Sequence, residues 1–144
     1  VKMLKKLIKE NLFHVHQTFH DTTEILNYLC DELIDNDLAT KAYKEDVFKR
    51  EEMAGTAFVQ GFAVPHAITV QPLRSTISVM VLKNPVKWGK YEIRLILLLS
   101  ISEQDNQMLH TFFDWLSNVL IDYNQLMQFI EAGNYQEFMK LMTA

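Results

Sequence analysis

The sequence predicts an α/β layered fold with helices on both faces of a sheet, and three observations carry that prediction. Apolar residues recur at helical spacing near the start of the chain and again over its last third. Between these blocks the pattern changes to an alternation of period two. One segment of the middle block, Ile93 to Ile101, is apolar almost throughout, so it has no polar face to offer water and must be covered on both sides.

The elements follow in order. Lys2, Lys5, Lys6 and Lys9 alternate with Met3, Leu4, Leu7 and Ile8 as an amphipathic first turn or two, and Leu12 to Val15 forms a short first strand. Asp21-Thr22-Thr23-Glu24 has the form of a capping box. Behind it Ile25, Leu26, Leu29, Cys30, Leu33 and Ile34 share one helical face. Thr40 caps a second helix that carries Tyr43, Val47 and Phe48 and ends near Met53, before Gly55. Phe62, Val64, His66 and Ile68 alternate with Ala63, Pro65 and Ala67 at strand spacing. Thr76 to Leu82 is the next strand, and Trp88-Gly89-Lys90 turns the chain into the apolar one. Ser102 with Asp105 opens a helix bearing Met108, Leu109, Phe112, Phe113, Leu116, Val119 and Leu120 on one face. Asp122 with Gln125, and Asn134 with Glu137 after Gly133, open two more.

At 144 residues, with 49% apolar and 22% charged residues, the chain reads as one domain, 1–144, large enough for a substantial core. Starting at Val1 and not at Met, it reads as a domain excised from a longer chain. A net charge of −4 argues against direct nucleic-acid binding by this domain. The single Cys30 excludes an internal disulfide and fits a reducing, cytoplasmic setting. The longest apolar run, Leu95 to Leu99, is too short for membrane insertion, and no signal-peptide pattern is present.

The candidate chemistry centres on Phe48 to Thr69. A neutral imidazole is a good nucleophile near neutral pH and can carry a phosphoryl group, and His66, just after Pro65, stands where a strand ends. A Pro-His pair is equally compatible with a structural or surface histidine. Arg50 offers a planar fork suited to phosphate, with Thr56 and the backbone at Gly55 as neutral donors; a solvated Lys-Arg-Glu-Glu helix end is the alternative. His110 lies on a polar stripe with Gln107, Asp114 and Ser117, where Asp114 could orient its ring or both could simply face water. His14 and His16 would share a strand face, but no Cys pair, HExxH or carboxylate at ligand spacing accompanies them, so no metal site is assigned. No Gly-rich phosphate loop and no nucleophile elbow occurs.

Arg50-Glu51, Gly55-Thr56 and Gly61-Phe62-Ala63-Val64-Pro65-His66 together resemble the signature of enzyme IIA domains of the bacterial sugar phosphotransferase system, fructose–mannitol type. The resemblance extends over nearly the whole chain. Pro85-Val86-Lys87-Trp88 resembles the family's turn before its apolar strand, and His110 falls at about the family's spacing for a second histidine. The resemblance implies a three-layer α/β/α fold with a central mixed β-sheet. It also implies that His66 accepts a phosphoryl group from the phosphocarrier HPr and passes it to enzyme IIB, without metal or nucleotide cofactor. Arg50 would stabilise the phosphate charge, His110 would hydrogen-bond near it, and Gly55, Thr56 and Gln60 would line the pocket. Where the family usually reads Gly-Asn-Gly, this chain has Val59-Gln60-Gly61, and a Val at the first position resists positive φ. That departure favours an alternative, a docking module that binds IIB or HPr without turning over phosphate. Trp88 to Tyr91 and Phe112 to Ser117 look closer to the IIA-like domains of transcriptional regulators and antiterminators. A regulatory domain of that kind is therefore expected ahead of a IIA component of a fructose or mannitol transporter.

Overall fold

The computed structural model describes residues 2–142. Five strands form one sheet in the order β1-β4-β5-β3-β2, with β1 Phe13–Gln17, β2 Ala57–Val59, β3 Gly61–Ala63, β4 Thr76–Trp88 and β5 Tyr91–Ser100. The sheet is mixed: β1 runs parallel to β4 and β3 to β5, while β4–β5 and β2–β3 are antiparallel. The apolar strand β5 lies at the centre, as its lack of a polar face requires.

The two faces of the sheet carry separate cores. Ile77, Val79, Val81, Leu95, Leu97 and Leu99 point to one side. There they meet α1 (Lys2–Lys5), α4 (Gln107–Trp115), α5 (Tyr123–Glu131) and α6 (Tyr135–Leu141). Met80, Leu82, Ile96 and Leu98 point to the other, against α2 (Thr22–Asp35) and α3 (Lys41–Met53). This period-two partition of β4 and β5 produces the three layers. Cys30 is buried on the α2 side, and that burial pushes its thiol up to about 12, with Lys44 pulling it down and Asp31 adding to the rise.

Four of the five caps form where the sequence places them. Asp21, Thr40, Asp122 and Asn134 accept from the amides of Glu24, Tyr43, Gln125 and Glu137. Glu24 and Glu137 reach one residue further back than a capping box requires, to the amides of His20 and Gly133.

Five local expectations need correcting. Ser102 does not cap a helix: its hydroxyl and that of Ser75 bond the Asp105 carboxylate, and a 3-10 turn Glu103–Asp105 precedes α4. The apolar face of α4 is Met108, Phe112 and Trp115, which leaves Phe113 47% exposed. Pro85-Val86-Lys87-Trp88 is extended strand, not turn; the two-residue turn is Gly89-Lys90, between the paired Trp88 and Tyr91. The strand through Phe62 ends at Ala63, and Ile68 lies beyond it in a loop. Finally, Ala57–Val59 is a strand that three residues between Thr56 and Gln60 are too few to announce by periodicity.

Candidate functional site

His66 stands at the carboxyl end of β3, beside the carboxyl end of its parallel neighbour β5. Ligands of open α/β sheets collect at such ends. Pro65 lacks an N–H and interrupts the strand, but its carbonyl accepts from Leu99 N at 2.9 Å, and His66 then bridges Leu99 in parallel register. The backbone of the histidine is therefore anchored to the central strand.

The ring is oriented by its own chain. His66 Nδ1 lies 2.9 Å from the Val64 carbonyl oxygen. A carbonyl can only accept, so Nδ1 carries a hydrogen, and in the neutral ring Nε2 keeps its lone pair. In its neutral form the half-buried imidazole therefore presents Nε2 as its free nitrogen.

The loop after His66 is clamped from below. Asp46 Oδ2, on α3 and only 7% exposed, accepts from the amides of Ile68, Thr69 and Val70 at 2.8, 2.7 and 2.8 Å. Burial alone would raise the Asp46 pKa. The amides of Val70, Thr69 and Ile68, with Lys49 nearby, outweigh that and hold the carboxyl below its usual value. Beside this clamp the buried Tyr43 hydroxyl bonds Ser100 Oγ at 2.6 Å and reaches the Leu99 carbonyl at 3.4 Å. Burial pushes its pKa up, against the opposing Ser100 bond and with small additions from Cys30 and Asp46, so it stays a neutral donor.

Two cavities meet at His66. One, of about 360 Å³, lies between the clamped loop and the start of α4, with Tyr43, Gln71, Ser102, Asn106 and Leu109 in its wall. The other, of about 380 Å³, is lined by Arg50, Phe58, Val59, Phe62, Val64, Phe113, Leu116, Ser117 and Ile121. Phe113 borders both. Arg50, whose guanidinium also donates to the Ala54 carbonyl, is the one cation in this apolar wall. Leu116 and Ser117 reach it because α4 runs on into a π-helical stretch, Leu116–Leu120, closed by Ile121 N to Leu116 O at 3.0 Å.

The structure therefore brings together His66 and Arg50 but not His110, Thr56, Gly55 or Gln60. His110 is exposed, lines neither cavity and has no hydrogen bond to Asp114 among those of the described residues. The burial of Met108, Phe112 and Trp115 sets the phase of α4, which turns Leu109 and Phe113 toward His66 and carries His110 further round to solvent. Thr56 is fully buried, and its amide and hydroxyl both bond Glu51, at 2.9 and 2.6 Å. Glu51 also accepts from Trp88 Nε1 at 2.9 Å, so Arg50-Glu51 and Thr56 divide their roles: Glu51 ties α3 to β2 and β4, and Arg50 faces the cavity. Gly55 is exposed beside Glu51 and Gln60 accepts from the Glu92 amide, both outside the two cavities.

The strain expected at Val59 does not arise. The positive φ of the β2–β3 turn falls on Gly61 (φ 111), and Val59 is ordinary strand. His14 and His16 do not share a face as ligands: His16 takes a left-handed φ of 58 at a register shift, and His14 Nε2 bonds Glu32 at 2.8 Å. Sequence reading missed Asp46, Tyr43 and Phe113. Only Phe113 had a local signal, an aromatic one position past the buried Phe112.

Residues 6–144 match the family model described as "Phosphoenolpyruvate-dependent sugar phosphotransferase system, EIIA 2". A probable licABCH operon regulator of Bacillus subtilis is 24% identical over 132 residues, which span 92% of this chain and 21% of the regulator. A multiphosphoryl transfer protein of Shigella flexneri is 28% identical over 140 residues, 94% of this chain and 17% of that protein. The chain thus spans about a fifth of the length of these curated relatives. Among solved structures, the nitrogen regulatory protein IIA-Ntr of Neisseria meningitidis superimposes with a TM-score of 0.84 at 16% identity, covering 98% of this chain and 99% of that one. Enzyme IIA-Mtl of Escherichia coli, in its complex with phosphorylated enzyme IIB-Mtl, superimposes at 0.80 and 16% identity, covering 94% and 97%. These two likenesses establish a shared fold.

Proposed function

This chain belongs to the EIIA 2 family of phosphoenolpyruvate-dependent sugar phosphotransferase systems, and from that premise we propose that it is a phosphoryl-accepting domain whose acceptor atom is His66 Nε2. The observation that carries the reading is the Nδ1–Val64 bond, which in the neutral ring makes Nε2 the nitrogen with a free lone pair, at a cavity mouth. The donor is the phosphohistidine of HPr. The Nε2 lone pair forms the new N–P bond as the donor's N–P bond breaks, and that electron pair returns to the donor ring. Nδ1–H stays on the Val64 carbonyl, which offsets the positive charge arising on the His66 ring. Arg50 neutralises charge on the three equatorial oxygens, and the apolar wall excludes water from a bond that hydrolyses readily.

Phe58 and Ile121, 56% and 59% exposed, with Phe113 form an apolar rim around this mouth. That rim suits the docking of a donor and then of an acceptor, enzyme IIB, in line with the complex of IIA-Mtl and phosphorylated IIB-Mtl. The Bacillus regulator supports a place for this domain in a sugar-responsive transcriptional regulator; the multiphosphoryl transfer protein supports a carrier role with the same chemistry. His110, exposed and outside both cavities, is assigned no role in this step. The test is incubation with phosphoenolpyruvate, enzyme I and HPr, read by intact mass. One acid-labile phosphoryl adduct is expected, absent in His66→Ala. No adduct with an active donor would leave the docking-only alternative.

A further inference from the structure

A third cavity, of about 680 Å³, shares no lining residue with the two at His66. It lies between the segment after α1, the α2–α3 turn, the start of β4 and the 3-10 turn before α4. Lys6, Lys9 and Arg74 line it against one carboxylate, Asp105, which is engaged by the hydroxyls of Ser75 and Ser102. None of the three cations has an acidic partner within ion-pair distance among the described residues. In a chain of net charge −4, such a concentration of unpaired positive charge in one concavity is a local feature of the fold.

A second observation is independent of charge. Thr76, 3% exposed, lines the same cavity, and its hydroxyl, like that of Ser78 outside it, is buried with no hydrogen-bond partner among the described residues. A buried hydroxyl left unpaired is costly and calls for an explanation. The walls are also pre-formed: Ile77 N bonds Leu7 O at 2.9 Å, and Leu73 N and Arg74 N bond Leu38 O at 2.9 and 3.4 Å.

We propose that this cavity binds a small phosphomonoester with a hydroxyl-bearing body. Arg74 supplies a planar fork and the lysines supply point charges for the phosphate, with Thr76 as a neutral donor. The volume exceeds what a phosphate ion fills and falls within the range of small-ligand sites. The side-chain amides of Asn11 and Gln104 can both donate to and accept from hydroxyls of the remainder. The proposal is independent of the reaction at His66.

The test is a titration of the 15N-labelled protein with glucose 6-phosphate, inorganic phosphate and glucose, followed by amide shifts. Glucose 6-phosphate should produce saturable shifts at Leu7, Arg74, Ser75 and Gln104, inorganic phosphate weaker ones, and glucose none. Arg74→Gln should weaken binding about tenfold, and His66→Ala should leave it unchanged. Thr76→Val should also weaken binding while leaving the melting temperature equal or higher, an outcome that a purely structural hydroxyl would not give. Absence of saturable shifts with either phosphate compound, equal binding of glucose, or shifts centred on residues 66–70 would overturn the site. Inorganic phosphate binding as tightly as the ester would overturn the hydroxyl-bearing body.

Discussion

His66 Nδ1 can bond the Val64 carbonyl only with its hydrogen in place, and in the neutral ring that leaves Nε2 as the nitrogen with a free lone pair. A backbone acceptor two residues away needs no second side chain to select the tautomer, which is why the absence of His110 from the cavity does not disable the nucleophile. In the proposed transfer Arg50 has a different role, offsetting charge that grows on the phosphoryl oxygens. Arg50→Ala should therefore slow phosphorylation by about a hundredfold with an unchanged circular dichroism spectrum. Glu51, next in sequence, makes no contact with the reacting centre. It holds the Thr56 amide and hydroxyl and the Trp88 indole, so Glu51→Ala should cost about 2–4 kcal/mol of stability in chemical denaturation. In Cys30 burial opposes the thiolate, and its reaction with a disulfide reagent at neutral pH should be slow until the protein unfolds.

At the level of elements, the site depends on how α3 and the β2–β3 hairpin hold the strand end. Asp46 has a pKa lowered in the fold, so its contribution is fully present above the unfolded carboxylate value of about 3.9 and is lost as pH falls through the lower folded value. Asp46→Asn removes that dependence. The stability difference between wild type and variant should shrink as pH drops below about 4, measured by urea denaturation, and amide exchange at Ile68, Thr69 and Val70 should accelerate in the variant at neutral pH. The hairpin is constrained at Gly61, where φ is 111 and an added Cβ would lie 2.5 Å from Leu126 Cδ2. Gly61→Ala should cost about 1–3 kcal/mol and slow phosphorylation at His66, whereas Val59→Gly should bring no gain in rate, because the left-handed φ falls on Gly61 and not on Val59.

Across the whole molecule, what was legible in the sequence was what periodicity and capping encode. The double-sided core could be read from β5, because a strand with no polar face has one place in a layered fold. The strand order could not, because pairing between distant segments leaves no periodic trace; family resemblance implied only that the sheet is mixed. Helix α4 shows the limit at the site. Its apolar positions are dense enough to fit more than one phase, and burial of Trp115 in place of Phe113 settles the phase that takes His110 away from His66. Thr56 was misread for a related reason, since a hydroxyl near a cation looks the same in sequence whether it faces a ligand or a buried carboxylate. Asp46 gives no signal at all, being one acid among several on a polar helix whose role depends on a loop 22 to 24 residues away.

The most direct test is the identity of the phosphorylated atom. After phosphorylation by phospho-HPr, long-range 1H–15N correlation on the labelled protein distinguishes the two ring nitrogens of a phosphohistidine. The Val64 bond predicts a phosphoryl group on Nε2 of His66, with Nδ1 still protonated. A phosphoryl group on Nδ1, or on any residue other than His66, would contradict it.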